Sequence, residues 1–223
     1  MTLLEYADAE MLALDLANVM AGALGAALRQ QPRATLIVPG GTTPGPVFDD
    51  LCAVDLDWDR VDVILSDERW VPEADAASNA ALVRARLLVD KAAAARFLPY
   101  HRAGQTPEQA LPELEAQVAP LLPAAVALLG MGADMHTASL FPRGDALRLA
   151  LDAQAPALVA MRAPGQAQPR VTLSAQALVA SLSLHVVITG DDKRAALERA
   201  QGLPPQEAPV AAILKDATVH WAA

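Results

Sequence analysis

The stretch Ala124-Ala125-Val126-Ala127-Leu128-Leu129-Gly130-Met131-Gly132-Ala133-Asp134-Met135-His136-Thr137-Ala138-Ser139-Leu140-Phe141-Pro142 joins an apolar run to a polar, glycine-bent segment. Ala124 to Leu129 reads as a buried strand, because six consecutive apolar residues leave no face for water. Two glycines then bend the chain, and Asp134, His136 and Thr137 follow where a new helix is expected to start. That places a carboxylate and an imidazole at the carboxyl end of a strand, within reach of free helix N–H groups. Ligands of open α/β sheets bind at that edge.

The same grammar repeats outward. Ala34 to Val38, Val61 to Leu65, Leu158 to Met161 and Leu184 to Ile188 are further short, mostly apolar strand candidates, with Phe97 to Tyr100 a weaker one. Helical spacing fills Ala7 to Gln31, Pro46 to Cys52, Ser78 to Leu88, Ala175 to Ala180 and Gly190 to about Gln201. Thr106-Pro107-Glu108 is a helix start, with Thr106 as N-cap and proline at the first position. Thr218 to Trp221 reads as a last edge strand. Strands alternating with helices predict an α/β fold: one doubly wound domain over residues 1–223, its mainly parallel sheet covered by helices on both faces. A small insertion is expected around 140–170.

Composition narrows the function classes. The chain has 223 residues, 53% of them hydrophobic and 19% charged, which suits a globular domain rather than a disordered one. The uninterrupted apolar runs fall far short of the ~20 residues that span a bilayer, and no secretory signal is visible, so no membrane partner and a cytoplasmic location are expected. Cys52 is the single cysteine. It excludes an internal disulfide or a multi-thiolate metal site, and reads as a small buried hydrophobe. A net charge of −9 argues against nucleic acid as a partner, but a few cations and N–H groups can still hold one phosphate ester.

Four places carry candidate chemistry. Gly40-Gly41-Thr42-Thr43-Pro44 joins a strand to a helix. Its glycines allow close backbone approach, and Thr43 is placed to cap the helix. The loop suits an anion, or is an ordinary tight turn. Asp67-Glu68-Arg69 closes the second strand. In extended chain Asp67 and Arg69 point the same way, toward a sugar or into a structural ion pair. His136 is the general-base candidate, kept neutral by the expected helix N-terminus, with Asp134 orienting the ring or capping the helix. Arg170 and Lys193 are either phosphate cations or solvated surface charges. His101, His185 and His220 have no clustered partners in the sequence, no residue set has metal-ligand spacing, and no Gly-x-Ser-x-Gly elbow is present.

Taken together, these segments resemble the 6-phosphogluconolactonase family. The carriers are Gly40-Gly41-Thr42-Thr43-Pro44, Asp67-Glu68-Arg69-Trp70-Val71-Pro72 with Ser78-Asn79, and Gly130 through Pro142, with weaker signals at Arg170-Val171-Thr172-Leu173 and at Gly190 with Lys193. Met135 stands where the family pattern has glycine. The resemblance implies a modified Rossmann fold similar to glucosamine-6-phosphate deaminase. It also implies hydrolysis of 6-phospho-D-glucono-1,5-lactone in the pentose phosphate pathway, with no metal or other cofactor. By the same resemblance, His136 is the base that activates water and Asp134 its partner. Arg170 and Lys193, with Gly40, Gly41, Thr42 and Thr43, form the phosphate cradle, while Asp67 and Arg69 contact the sugar or lactone. The expected partner is a phosphorylated sugar lactone; the sequence leaves the oligomeric state open, a monomer being favoured. An amino-sugar phosphate deaminase or isomerase, or a non-catalytic sugar-phosphate binder, is the alternative. Against the deaminase, Ser139-Leu140-Phe141-Pro142 offers no carboxylate after the histidine.

Overall fold

The computed structural model describes residues 1–223. In chain order it runs β1 (Thr2–Tyr6), α1 (Ala9–Leu28), β2 (Ala34–Val38), α2 (Gly45–Leu51), β3 (Val61–Leu65), β4 (Asp67–Arg69) and α3 (Asn79–Arg86). It continues with β5 (Arg96–Leu98), α4 (Pro107–Val118), β6 (Val126–Gly130), α5 (Leu147–Ala150), β7 (Leu158–Met161), β8 (Arg170–Leu173) and α6 (Ala175–Val179). The last elements are β9 (Ser183–Thr189), α7 (Asp191–Ala200), α8 (Ala211–Leu214) and β10 (Thr218–Ala222).

Seven strands form one parallel sheet in the order β1-β10-β9-β6-β2-β3-β5. All five residues of β2 and of β3 are buried, as strands between two helical layers are, and the one charged residue among them, Asp62, is paired with Arg33 and Arg96. From β2 the chain moves outward through β3 to β5, then returns to β6 on the other side of β2 and moves away through β9. The order therefore reverses between β2 and β6, and a crevice opens at the carboxyl ends of those two strands. Residues 131–182, between β6 and β9, supply β7 and β8, which join β4 in a second, antiparallel sheet of order β4-β8-β7. The insertion expected at 140–170 is thus the wall of that crevice. Both sheets share one contiguous apolar core.

Local signals explain the helix boundaries. Thr106 accepts from the Gln109 N–H while the Gln109 side chain accepts from the Thr106 N–H, a capping box that starts α4. Ser78 and Ser174 cap α3 and α6 by accepting from the Ala81 and Ala177 N–H groups, without the reciprocal bond. Helix α1 is long and apolar enough to cross a membrane by length and composition, yet its inner face (Leu12, Leu16, Met20, Leu24) lies in the core. Cys52 is buried, 3% exposed.

Three expectations are corrected. Thr218 to Trp221 is not at the edge: β10 lies between β9 and β1, and Thr2–Tyr6 is the edge strand. No helix follows Gly132. The chain from Met131 to Ala146 is a series of turns, with Met135, Ala138 and Arg143 at φ of 65°, 48° and 63° and Pro142 among them. Positive φ cannot continue a right-handed helix. His185 and His220 do have partners. Tyr6 Oη donates to Asp15 Oδ2 at 2.7 Å and lies 2.9 Å from His220 Nδ1. His220 Nε2 lies 3.0 Å from His185 Nδ1, and His185 Nε2 lies 2.8 Å from Ser183 Oγ. Because the Asp15 carboxylate only accepts, the polarity of the whole chain is set. Ser183 donates to His185, His185 to His220, His220 to Tyr6 and Tyr6 to Asp15. Both rings are neutral in this arrangement, and burial pushes each down to about 4.

Candidate active site

The crevice between β2 and β6 holds a cleft of about 320 Å³. On the β2 side its wall is the loop Pro39–Pro44. Gly41 has φ 87°, which only glycine adopts readily. The N–H groups of Gly40, Gly41, Thr42 and Thr43 donate to no acceptor in the protein, so four backbone donors and two hydroxyls remain for a ligand. Thr43 does not cap α2 as expected: Pro44 occupies the N-cap position, with no side-chain cap bond. The first-turn Gly45 N–H is taken by the Thr42 carbonyl instead.

Strand β4 aims alternate side chains as an extended chain should. Asp67 and Arg69 both line the cleft, while Glu68 points away from it. They are not an ion pair: Arg69 donates to the Ala77 carbonyl at 2.7 Å, and Asp67 accepts from Ser66 at 2.9 Å and from Ser139 at 2.5 Å. The Ser139 bond ties the His136 loop to β4. Glu68 is 1% exposed and accepts from the N–H groups of Arg69, Asn79 and Ala80 and from the Ser78 hydroxyl. Burial raises its carboxyl above the usual range, and those four donors oppose the rise. It clamps the first turn of α3 to β4.

On the β6 side, Gly130, Gly132 and His136 line the cleft. His136 Nδ1 lies 2.5 Å from Asp134 Oδ1. This hydrogen bond, opposed by partial burial, holds the Asp134 carboxyl below its ordinary value. No helix starts here, so no helix dipole acts on the imidazole and Asp134 caps no helix; from just outside the cleft it holds the ring through Nδ1. A Cβ at Gly132 would overlap both the His136 ring and the Asp134 carboxylate, so glycine is required at that position. Met135 takes φ 65°, the conformation for which the expected glycine is suited, and its carbonyl accepts from the Val210 N–H at 3.0 Å.

Two more cations complete the cleft. Arg170 is 7% exposed and donates to Gln166 at 2.7 Å. Its guanidinium lies 5.6 Å from the Phe141 ring centroid, and burial lowers its pKa. Lys193, in the first turn of α7, donates to the Met131 carbonyl at 2.7 Å. Neither is a freely solvated charge. The structure therefore brings together Gly40, Gly41, Thr42, Thr43, Asp67, Arg69, His136, Arg170 and Lys193 around one cleft, with Asp134 behind His136. Asn79, Phe141 and Gln166 also line it; the sequence marks the first two only as motif residues with no site role, and gives no sign of Gln166. Phe141 packs against His136 with ring centroids 4.7 Å apart.

The model of the glucosamine-6-phosphate isomerase/6-phosphogluconolactonase family matches residues 7–221. The chain belongs to this family. A 6-phosphogluconolactonase of Pseudomonas aeruginosa is 41% identical over 210 residues, covering 92% of this chain and 88% of the relative. The crystal structure of a 6-phosphogluconolactonase from Shewanella baltica superposes with a TM-score of 0.96 at 32% identity, covering 100% of this chain and 97% of the other. A monomeric glucosamine-6-phosphate deaminase superposes with a TM-score of 0.83 over 100% of this chain and 97% of its own. At 18% identity that likeness speaks to the fold alone.

Proposed function

We propose that this chain hydrolyses 6-phospho-D-glucono-1,5-lactone to 6-phospho-D-gluconate, in the oxidative branch of the pentose phosphate pathway. The observation that carries the mechanism is His136 held by Asp134 at the switch-point cleft, opposite a loop with four unengaged N–H groups. Asp134 accepts from Nδ1–H, so the proton sits on Nδ1 and the Nε2 lone pair is free. Nε2 takes a proton from water as the water oxygen bonds to C1 of the lactone. The carbonyl π electrons move onto its oxygen, and donors in the cleft stabilise that oxyanion. When it collapses, the C1–O5 bond breaks and the imidazolium returns its proton to O5, which becomes the C5 hydroxyl. The new carboxylic acid loses its proton to solvent. Arg170, Lys193 and the Gly40–Thr43 N–H groups supply the charge and donors a phosphate ester needs. Asp67 and Arg69 face the sugar.

His136→Ala lowers the lactonase kcat by at least ~100-fold, the usual scale for a positioned acid–base group, after spontaneous opening is subtracted. The measurement is proton release at fixed pH with fresh lactone, with circular dichroism confirming the fold. A folded His136→Ala protein that retains near-normal turnover removes the base role. Turnover of glucosamine 6-phosphate with no lactone hydrolysis overturns the substrate.

A further inference from the structure

Asn79 is the first residue of α3, is 2% exposed and lines the cleft beside Gly40 and Asp67. Its amide orientation follows from its neighbours. Nδ2 donates to the Asp67 carbonyl at 2.8 Å, and the Asn79 backbone N–H donates to Glu68 at 2.7 Å. Flipping the amide would set Oδ1 against the Asp67 carbonyl, acceptor facing acceptor, so Oδ1 must be the atom on the Gly40 side. There it is buried with no hydrogen-bond partner. Gly40 is what leaves it room, because a Cβ on Gly40 would overlap the amide. A buried acceptor left unpaired is costly, and native structures pair such atoms or use them.

We infer that Asn79 Oδ1 accepts a hydrogen bond from a hydroxyl of the bound sugar and thereby sets specificity for a polyol-bearing phosphate ester. The assignment rests on the lactonase reading and deepens it. Phosphate dianion, carboxylate and lactone carbonyl only accept, so none of them pairs with Oδ1; among the groups of the proposed substrate only a hydroxyl donates. The cleft is thereby divided. Arg170, Lys193 and the Gly40–Thr43 N–H groups meet the acceptors of the ligand, and Asn79 meets a donor. A site built around a hydroxyl rejects an analogue lacking it more strongly than an apolar pocket rejects a missing methylene, because its own polar atom is then stranded.

The test uses the reaction product as probe. Dissociation constants are measured by calorimetry for 6-phosphogluconate, for its 2-, 3- and 4-deoxy analogues and for inorganic phosphate, on the wild-type protein and on Asn79→Ala. One deoxy analogue binds the wild type at least ~10-fold more weakly than 6-phosphogluconate, and that ratio collapses to within ~2-fold in Asn79→Ala. Inorganic phosphate binds both proteins alike. The inference is overturned if no deoxy analogue is penalised in the wild type, a result that depends on no variant folding, or if the penalty persists unchanged in a folded Asn79→Ala. Failure of 6-phosphogluconate itself to bind the wild type instead refutes the lactonase reading.

Discussion

Acidification from pH 7.5 to 5 should weaken this fold through two buried histidines that do not line the cleft. His185 and His220 are 4% and 0% exposed, share a hydrogen bond, and are packed among Tyr6 of β1, Asp15 of α1 and Ser183 of β9. Burial pushes both down to about 4, against 6.5 for the free side chain. Between those values the unfolded chain binds more protons than the folded one, so stability falls as pH drops. The stabilising contribution is fully present above pH 6.5 and is gone once pH has passed below 4. At about 1.4 kcal/mol per pH unit, a drop of about 2.5 units is worth about 3.4 kcal/mol per ring; by pH 5 about 2 kcal/mol per ring is lost, or about 4 for the pair. The assay is urea unfolding at pH 7.5 and pH 5.0 on the wild type and on the His185→Gln/His220→Gln double variant. Glutamine keeps a donor and an acceptor but does not titrate. Other carboxylates and histidines cancel in the comparison. The wild type should lose about 2–4 kcal/mol more than the variant between the two conditions. Equal losses in both proteins refute the claim that the buried pair is neutral in the fold.

Two further substitutions probe the catalytic loop. Gly132→Ala drives a methyl into the His136 ring and its Asp134 partner, so kcat/KM should fall by roughly 10- to 100-fold, since small misplacements of a catalytic group cost that much; unchanged kinetics would show that the loop accommodates the methyl. At position 135, with φ 65°, glycine should be more stable than alanine by about 1 kcal/mol, the reverse of the usual preference, because both variants delete the Met side chain and only glycine escapes the left-handed penalty. Thermal melts of Met135→Gly and Met135→Ala measure the difference, and a more stable alanine variant contradicts the strain.

Much of this architecture can be read from one dimension, and the failures have physical causes. β2, β3, β6 and β9 announce themselves because strands covered on both faces are mostly apolar, with Thr35, Asp62 and His185 as buried exceptions. β1 does not: only Leu3 and Tyr6 of Thr2–Tyr6 are partly covered, and its partner lies more than 200 residues away. Asp134 before an apolar stretch looks like a helix cap, but three positive φ angles and Pro142 turn the segment into irregular chain, information that local propensity does not hold. The residues around the cleft were legible because glycine, threonine and charge cluster at strand ends. Asn79 sits next to the Ser78 cap and passes for part of an ordinary helix start; its burial comes from Glu68 and Gly40, both far off in sequence. The histidine pair was illegible for the same reason, since nothing local says that β10 lies beside β9.

The threading of β10 between β1 and β9 bears on the order in which the protein is built. During synthesis, residues 2–6 emerge long before residues 218–222, the only strand with which they pair. The opening strand must wait, unpaired, for nearly the whole chain to be translated, while the half of the sheet around β2 and β3 has its partners early. Nascent chains stalled before residue 218 should therefore carry two loose ends rather than one, and the last five-residue strand locks both.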